Sequence, residues 1–333
     1  MDKKDYQYIR SNTNEDIDLS IELIVYNHSP YIRQAMDSIL MQKTEYSYKI
    51  IIGEDCSTDN SRDILLEYHR KYPEKIELIL WNHNVGVEIN SVEITKKCKG
   101  RYIAYLEGDD YWTNPFKIQK QISFLESNKQ YIGTAHNVRC VDNKGSFLHK
   151  DLGLYSYKED HIYGADEAGR MELVGQTASI INRNLWKNFD EANWKNYLKC
   201  TANGDLKESI MWGSCGNIYF FHDIMANHRR VFVGDSWTAR MEGKNMLWIK
   251  YQMQFEIKKF MLEEFKTDVG PNLHDLVEMY HKESIIQMLY RPCRENFKIM
   301  LNLYLEKRKF RKIMCWKNVD TEGKKCLKIE ENM

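Results

Sequence analysis

Neither sign of charge dominates this chain: 48 lysines and arginines balance 48 aspartates and glutamates among 333 residues. Without a basic excess, nucleic-acid binding is excluded as its main business. No stretch approaches the ~20 apolar residues that a membrane span requires. The eight cysteines include no C-x-x-C pair. Lacking metal-ligand or disulfide spacing, they are expected to be reduced cytosolic thiols. The opening Met1-Asp2-Lys3-Lys4-Asp5-Tyr6-Gln7 has no apolar core of the kind a signal peptide carries, so none is expected. These absences predict a soluble, cytoplasmic protein. Catalytic signatures are missing as well. No G-x-G-x-x-G follows the first strand and no G-x-x-x-x-G-K-[ST] occurs, which excludes the usual dinucleotide and P-loop enzymes. H-E-x-x-H and G-x-S-x-G are absent too. The ten histidines are dispersed, with no spacing suited to a transition metal, and are expected to be ordinary surface or satisfied side chains.

What is present is a regular alternation. Hydrophobic residues make up 43% of the chain, enough for a sizeable core. Residues 1–17 are polar and expected to be loose. Leu19–Val25, Tyr48–Gly53, Ile76–Trp81 and Tyr102–Leu106 are predicted strands. Between them Ile32, Ala35, Met36, Ile39 and Leu40, then Ile64, Leu65 and Tyr68, then residues 89–97, follow helical spacing. Strand and helix alternating over short connections imply parallel pairing with right-handed crossovers, a doubly wound α/β domain. From 128 to 176 the pattern weakens into expected hairpins and loops. Thr177–Ile181, Ile218–Phe221 and Ile224–Val231 are candidate strands, and Asp205–Trp212 a helix. From Met241 onward the chain turns helical. The domain boundary is placed near 240, leaving 241–333 as a helical C-terminal region.

The most informative segment is Tyr102-Ile103-Ala104-Tyr105-Leu106-Glu107-Gly108-Asp109-Asp110-Tyr111-Trp112. An apolar strand ends in three carboxylates, and a helix start follows, with Asn114 as the expected cap and Pro115 in its first turn. Acidic groups crowded at a strand's carboxyl end persist most easily where a cation neutralises them. That edge of an open α/β sheet is also where ligands bind. A haloacid-dehalogenase hydrolase would carry its D-x-D after the first strand, whereas this cluster follows the fourth.

Four motifs in order, Tyr26-Asn27-His28 with Tyr31-Ile32, Ile51 through Ser61, Asn84-Val85-Gly86 and Tyr102 through Trp112, resemble a family 2 glycosyltransferase with a GT-A fold. The resemblance covers 19–127 strongly and 128–240 faintly, and implies a nucleotide-sugar-binding half followed by an acceptor half. It implies that Tyr26 and Asn27 contact the base and ribose, and that Asp55 accepts a hydrogen bond from the base, usually uracil. Glu107-Gly108-Asp109 falls in the D-x-D slot, so Asp109 is expected to reach a divalent metal, Mn²⁺ or Mg²⁺, with Glu107 at the ribose or metal shell and Asp110 assisting. Asp205, opening the helix after Gly204, matches the place of the base that deprotonates the acceptor. The implied activity is metal-dependent, inverting sugar transfer from a nucleoside diphosphate, UDP first, to a glycan hydroxyl in cell-surface polysaccharide or lipopolysaccharide synthesis.

The chain departs from that pattern in three places. Many relatives carry Pro-Thr ahead of the Tyr-Asn pair, where this chain has Ile24-Val25, so the base pocket is expected to differ. The slot opens with Glu107 instead of Asp. Relatives carry a late His after a Tyr-Arg pair; here the stretch is His228-Arg229-Arg230-Val231-Phe232, with no His at the expected place, so Arg229 or Arg230 is the candidate to meet diphosphate. Trp237 is a candidate for the edge of the same site. Tyr111 and Trp112 could stack on a sugar or pack under the sheet, and Gly175–Ser179 could line the acceptor side or form an edge strand. The basic, aromatic stretch Leu303–Lys317 could lie on an anionic leaflet, dock on its own domain or meet a dimer partner. Two other classes stay open: a nucleotidyltransferase, which normally carries a glycine-rich basic loop absent here, and a non-catalytic nucleotide-sugar binder or scaffold with a degenerate site.

Overall fold

The computed structural model describes residues 5–13, 16–148, 158–170, 172–231, 245–264 and 273–314. Trp237 and the final residues 315–317 of the basic stretch lie outside them. In chain order the elements are β1 (Tyr6–Ile9), β2 (Leu19–Val25), α1 (Ile32–Leu40), β3 (Tyr48–Glu54), α2 (Ser61–Lys71), β4 (Ile76–Trp81), α3 (Val87–Thr95), β5 (Tyr102–Glu107), β6 (Tyr111–Trp112) and α4 (Lys117–Ser127). Then come β7 (Tyr131–Val141), β8 (His161–Tyr163), α5 (Ala165–Gly169), β9 (Ile181–Arg183), α6 (Glu191–Lys199), α7 (Gly204–Cys215) and β10 (Asn217–Arg229). Among the described residues that follow are α8 (Met246–Glu264), α9 (Leu273–Tyr290) and α10 (Arg294–Met314).

These elements form two compact units. The first comprises Met1–Tyr163, Val174–Trp194 and Gly216–Phe232, the second Gly164–Leu173, Lys195–Cys215 and Val233–Met333. The first holds the sheet, in the order β1-β4-β3-β2-β5-β9-β7-β10-β6, with β8 beside β10. Strands β4, β3, β2 and β5 run parallel, as the alternation predicts. Strand β9 runs antiparallel to both β5 and β7, which makes the sheet mixed. Central strands covered on both faces carry near-continuous apolar runs. Leu19, Ile21, Leu23, Ile50, Ile52, Leu78 and Leu106 accordingly join Ile32, Met36 and Ile39 of α1 in one core. Chain order reverses across β2, whose neighbours are β3 and β5. Ligands bind at such a switch point, in the crevice beyond the strands' carboxyl ends.

Several elements differ from the sequence expectation. Tyr6–Ile9 is not loose: it adds an antiparallel edge strand to β4, with the Tyr6 ring edge-on to Trp81 at 4.8 Å. A polar strand of four residues offers too little periodicity to be recognised. Strand β7, eleven residues long, occupies part of the expected hairpin region. Residues 177–179 make a 3₁₀ turn ahead of β9 rather than a strand. The two strands expected between 218 and 231 are a single strand, β10, interrupted by register shifts between Phe221 and Ala226. Helix α4 begins at Lys117, two residues beyond Pro115, where Asn114 Oδ1 accepts the Phe116 amide at 2.8 Å.

In the second unit, α8, α9 and α10 share a core of Leu247, Tyr251, Leu276, Val277, Tyr280, Ile299 and Leu303. Glu278 pairs with Lys307 at 2.8 Å and the His281 ring meets Tyr304, so α9 and α10 run antiparallel. No described helix is long and apolar enough to cross a membrane. Helices α5 and α7 belong to this unit, so its limits differ from a single cut near 240.

Candidate active site

Two loops at the carboxyl ends of β2 and β3 are tied together by short polar side chains. Asn27 sits at φ 55°, in the left-handed region that asparagine tolerates better than most residues. Its Oδ1 accepts from the Thr58 amide at 2.8 Å, and its own amide donates to Ser57 Oγ at 2.9 Å. The His28 amide donates to Ser61 Oγ, and the Ser29 amide to Asp59 Oδ2, each at 2.9 Å. These bonds satisfy backbone amides of the loops that lead into α1 and α2. Tyr26, half-buried, heads the same loop.

Asp55 is buried and anchors a third loop. Its two carboxylate oxygens accept from the Val85 and Gly86 amides at 2.7 and 3.0 Å. Burial pushes its pKa up, opposed by those two amides. Gly86 needs its glycine, because φ is +86° there. Each carboxylate oxygen retains a second lone pair, so Asp55 can still accept from a ligand.

The acidic segment lies at the end of β5, beside β2. The Gly108 amide donates to Ile24 O at 2.9 Å, and a side chain at Gly108 would meet His28 Nδ1 at 2.6 Å. Asp109 Oδ1 lies 4.0 Å from His28 Nε2, and burial raises the Asp109 pKa, with His28 acting against it. Asp110 is buried. Its Oδ1 accepts the Arg229 amide at 2.7 Å, and its Oδ2 lies 3.1 Å from His228 Nδ1. Ligand atoms of Glu107, Asp110 and His228 all fall within 4.8 Å of one another. Burial disfavours a charged His228, yet Asp110, Glu107 and Asp109 outweigh it and lift the His228 pKa to about 9. The group therefore demands positive charge, which a proton on His228 supplies and a divalent cation could supply instead. Carboxylates suit Mg²⁺ and Mn²⁺, and an imidazole in the set tilts it away from Mg²⁺, which favours oxygen.

The candidate residues thus fall into groups. Tyr26, Asn27 and Asp55 belong to the cross-linked loops, and Glu107 and Asp110 to the triad with His228. Asp109 is not in that triad and faces His28. Asp205 lies in the second unit, in the first turn of α7; the cap position belongs to Asn203, whose Oδ1 accepts the Leu206 amide at 3.3 Å. The expectation that no late histidine serves this region is corrected by His228, which precedes the arginine instead of following it. Its signal was strand pairing: β10 lies against β6, with Ala226 opposite Trp112, so His228 comes level with the acidic turn.

Of Arg229 and Arg230, the two candidates to meet diphosphate, Arg229 is spent elsewhere. It is 5% exposed, and its guanidinium donates to the carbonyls of Asp109 (2.9 Å), Asp142 (3.0 Å) and Asn143 (3.3 Å) and to Gln34 Oε1 (2.8 Å). Arg230 is half-buried, its amide bonded to Val141 O at 2.8 Å. Trp112 is buried, its Nε1 donating to Ala178 O at 2.9 Å, so it packs under the sheet and presents no face to a sugar. Tyr111 is half-buried and accepts from Asn227 Nδ2 at 2.7 Å.

Comparison with known proteins agrees with this architecture. The family model described as glycosyl transferase family 2 matches residues 20–186, half of the chain. An uncharacterized Mycobacterium tuberculosis protein is 38% identical over 128 residues, 38% of this chain and 37% of that one, so the match spans little more than a third of that relative. The Bacillus subtilis protein TuaG, named for a glycosyltransferase role in teichuronic acid biosynthesis, is 30% identical over 186 residues, 52% of this chain and 69% of TuaG. The Escherichia coli protein WfaP, a UDP-Glc:alpha-D-GlcNAc-diphosphoundecaprenol beta-1,3-glucosyltransferase, is 32% identical over 150 residues, 44% of this chain and 54% of WfaP. S. aureus TarS 1-349, solved in complex with UDP-GlcNAc, superposes with a TM-score of 0.59 at 12% identity, over 86% of this chain and 79% of that one, a likeness of fold alone. The family match, the mixed sheet switching at β2 and the loops gathered there lead to one conclusion: this chain belongs to glycosyl transferase family 2 and has its GT-A fold.

Proposed function

We propose that this protein is a metal-dependent glycosyltransferase that moves a sugar from a nucleoside diphosphate, UDP first, to a hydroxyl of a cell-surface glycan, with inversion at the anomeric carbon. The observation that carries the reading is the Glu107–Asp110–His228 group at the switch point, one strand from the cross-linked loops. A divalent cation held there would supply positive charge to the departing diphosphate. Tyr26, Asn27 and Asp55 hold the nucleoside, with Asp55 accepting from the base. Asp109, paired with His28, completes the wall on the diphosphate side. Asp205 takes the proton from the acceptor hydroxyl as it attacks, and the N-terminus of α7 favours its ionised form. The names of TuaG and WfaP support a cell-surface glycan acceptor, and the UDP donors of WfaP and TarS support the nucleotide.

The experiment is a melting scan with UDP, GDP, CDP and TDP, each with and without Mn²⁺. A ligand at 100 times its Kd adds about 2.7 kcal/mol to the native state. A shift with one diphosphate, enlarged by Mn²⁺ and lost in Asp110→Ala, supports the reading. Asp205→Asn should then keep donor affinity and lose turnover. A variant that retains full turnover would remove Asp205 from the mechanism, and a wild type that binds donor without turning over would be a non-catalytic binder.

A further inference from the structure

The corner where α9 meets α10 combines two features that a protein surface seldom shows together. At the end of α9, Leu289 is 76% exposed and Tyr290 84%, and across the turn Phe297 also faces solvent. Isolated exposed apolar residues are ordinary, but three large ones at one corner are not. The antiparallel register set by Glu278–Lys307 and His281–Tyr304 runs on to bring residues 289–290 beside 295–297. The second feature is charge. Arg291, Arg294 and Lys298 are all exposed and make no ion pair with any described residue. Glu295 is the single carboxylate between 286 and 301. Further along the same helix Lys307 pairs with Glu278 and Lys309 with Glu306.

We propose that this corner is a docking surface for an anionic lipid leaflet, with Leu289, Tyr290 and Phe297 entering the headgroup boundary and Arg291, Arg294 and Lys298 meeting lipid phosphates. Apolar tips ringed by unpaired cations have the chemistry of an interfacial contact. A tyrosine suits the same depth, its ring in the apolar layer and its hydroxyl in water. A second copy of the chain fits less well, since pairing two such corners would bring like cations together. The corner precedes the basic stretch at 303–317 in the chain and is a separate surface from it. The inference concerns the helical unit and does not depend on the sugar-transfer reading.

The test is flotation of the full chain with vesicles of phosphatidylcholine alone or with one third phosphatidylglycerol. The wild type should partition onto anionic vesicles, weakly onto neutral ones, and less as salt rises. Each cation contributes about fivefold, or about 1 kcal/mol, so the triple variant Arg291→Gln, Arg294→Gln, Lys298→Gln should lose roughly a hundredfold. Leu289→Ser, Tyr290→Ser, Phe297→Ser should lose binding to both compositions, with melting temperature unchanged because all six positions are exposed. Wild type that fails to float, or variants that partition like wild type, would overturn the proposal. So would a dimer, seen by sedimentation, that the apolar variant abolishes without any vesicle binding.

Discussion

Arg229 grips the acidic turn from both sides of its own backbone: its amide donates to Asp110 Oδ1 at 2.7 Å, and its Nε donates to Asp109 O at 2.9 Å. The same guanidinium lies 4.5 Å from the Tyr31 ring centre and 5.5 Å from that of Tyr111, and reaches α1 through Gln34. An arginine so placed spends its fork on holding carbonyls, and a lysine cannot reproduce that planar geometry. Arg229→Lys keeps the charge and loses most of these bonds. Its Mn²⁺ affinity, followed by the paramagnetic signal of free Mn²⁺, should fall about 10- to 100-fold, as when groups that orient metal ligands are removed. Wild-type affinity in the variant would mean that the turn orders itself.

A second expectation concerns acidity inside the sheet. Glu22 on β2 is buried against α3, with Ser91 Oγ 2.6 Å from Oε1 and Thr95 Oγ1 2.6 Å from Oε2. Thr95 Oγ1 is also 2.9 Å from Ser91 O. Thr95 has one hydroxyl hydrogen, so a protonated Glu22 that donates to Thr95, while Thr95 donates to Ser91 O, satisfies every group. Burial raises the Glu22 pKa to about 7 from 4.5, against the two hydroxyls. A carboxyl raised on folding contributes stability that is complete below pH 4.5 and is lost as pH climbs through about 7. Glu22→Gln should flatten urea-derived stability across that window and gain about 3 kcal/mol on its alkaline side. An unchanged slope would place the titration elsewhere.

Gly53 offers a purely steric case. A methyl there would sit 2.0 Å from Asn90 Oδ1 and 2.6 Å from Ile94 Cδ1. Asn90 cannot swing aside, because its Nδ2 donates to Gly53 O at 2.9 Å and its Oδ1 accepts from Trp81 Nε1 at 3.0 Å. Gly53→Ala should therefore cost about 3 kcal/mol, from overpacking together with a strained buried amide. A urea midpoint shift with unchanged slope would confirm it; no shift would show that α3 moves freely against β3.

What the sequence disclosed follows from how local each signal is. Strands β2 and β4 carry apolar runs bounded by polar turns, and their limits emerge to the residue. Asn27 and Asp55 could be placed because the motifs that hold them are contiguous. The partnership of His228 with Glu107 and Asp110 depends on β6 lying against β10, a pairing of two residues with no pattern of its own. The role of Arg229 was hidden for the same reason, since its partners come from three separate segments. Strand β7 escaped because His136 and Asn137 sit buried in its middle, and buried polar residues break the apolar run that marks a strand.

The bond between Arg229 and Asp110 spans 119 positions, and that span sets an order of assembly. Strands β2, β3, β4 and β5 pair with one another within the first 112 residues, and the loops bearing Asn27 and Asp55 belong to that portion, although Ala178, Ile181 and Ala226 complete their core later. Glu107 and Asp110 must wait for β10, after residues 164–173 and 195–215 have passed into the other unit. A nascent or truncated chain ending before residue 217 therefore holds the Asn27 and Asp55 loops while its carboxylates lack both His228 and Arg229. The Glu107–Asp110–His228 grouping is thus closed last in this unit, and any lesion that delays β10 opens it first.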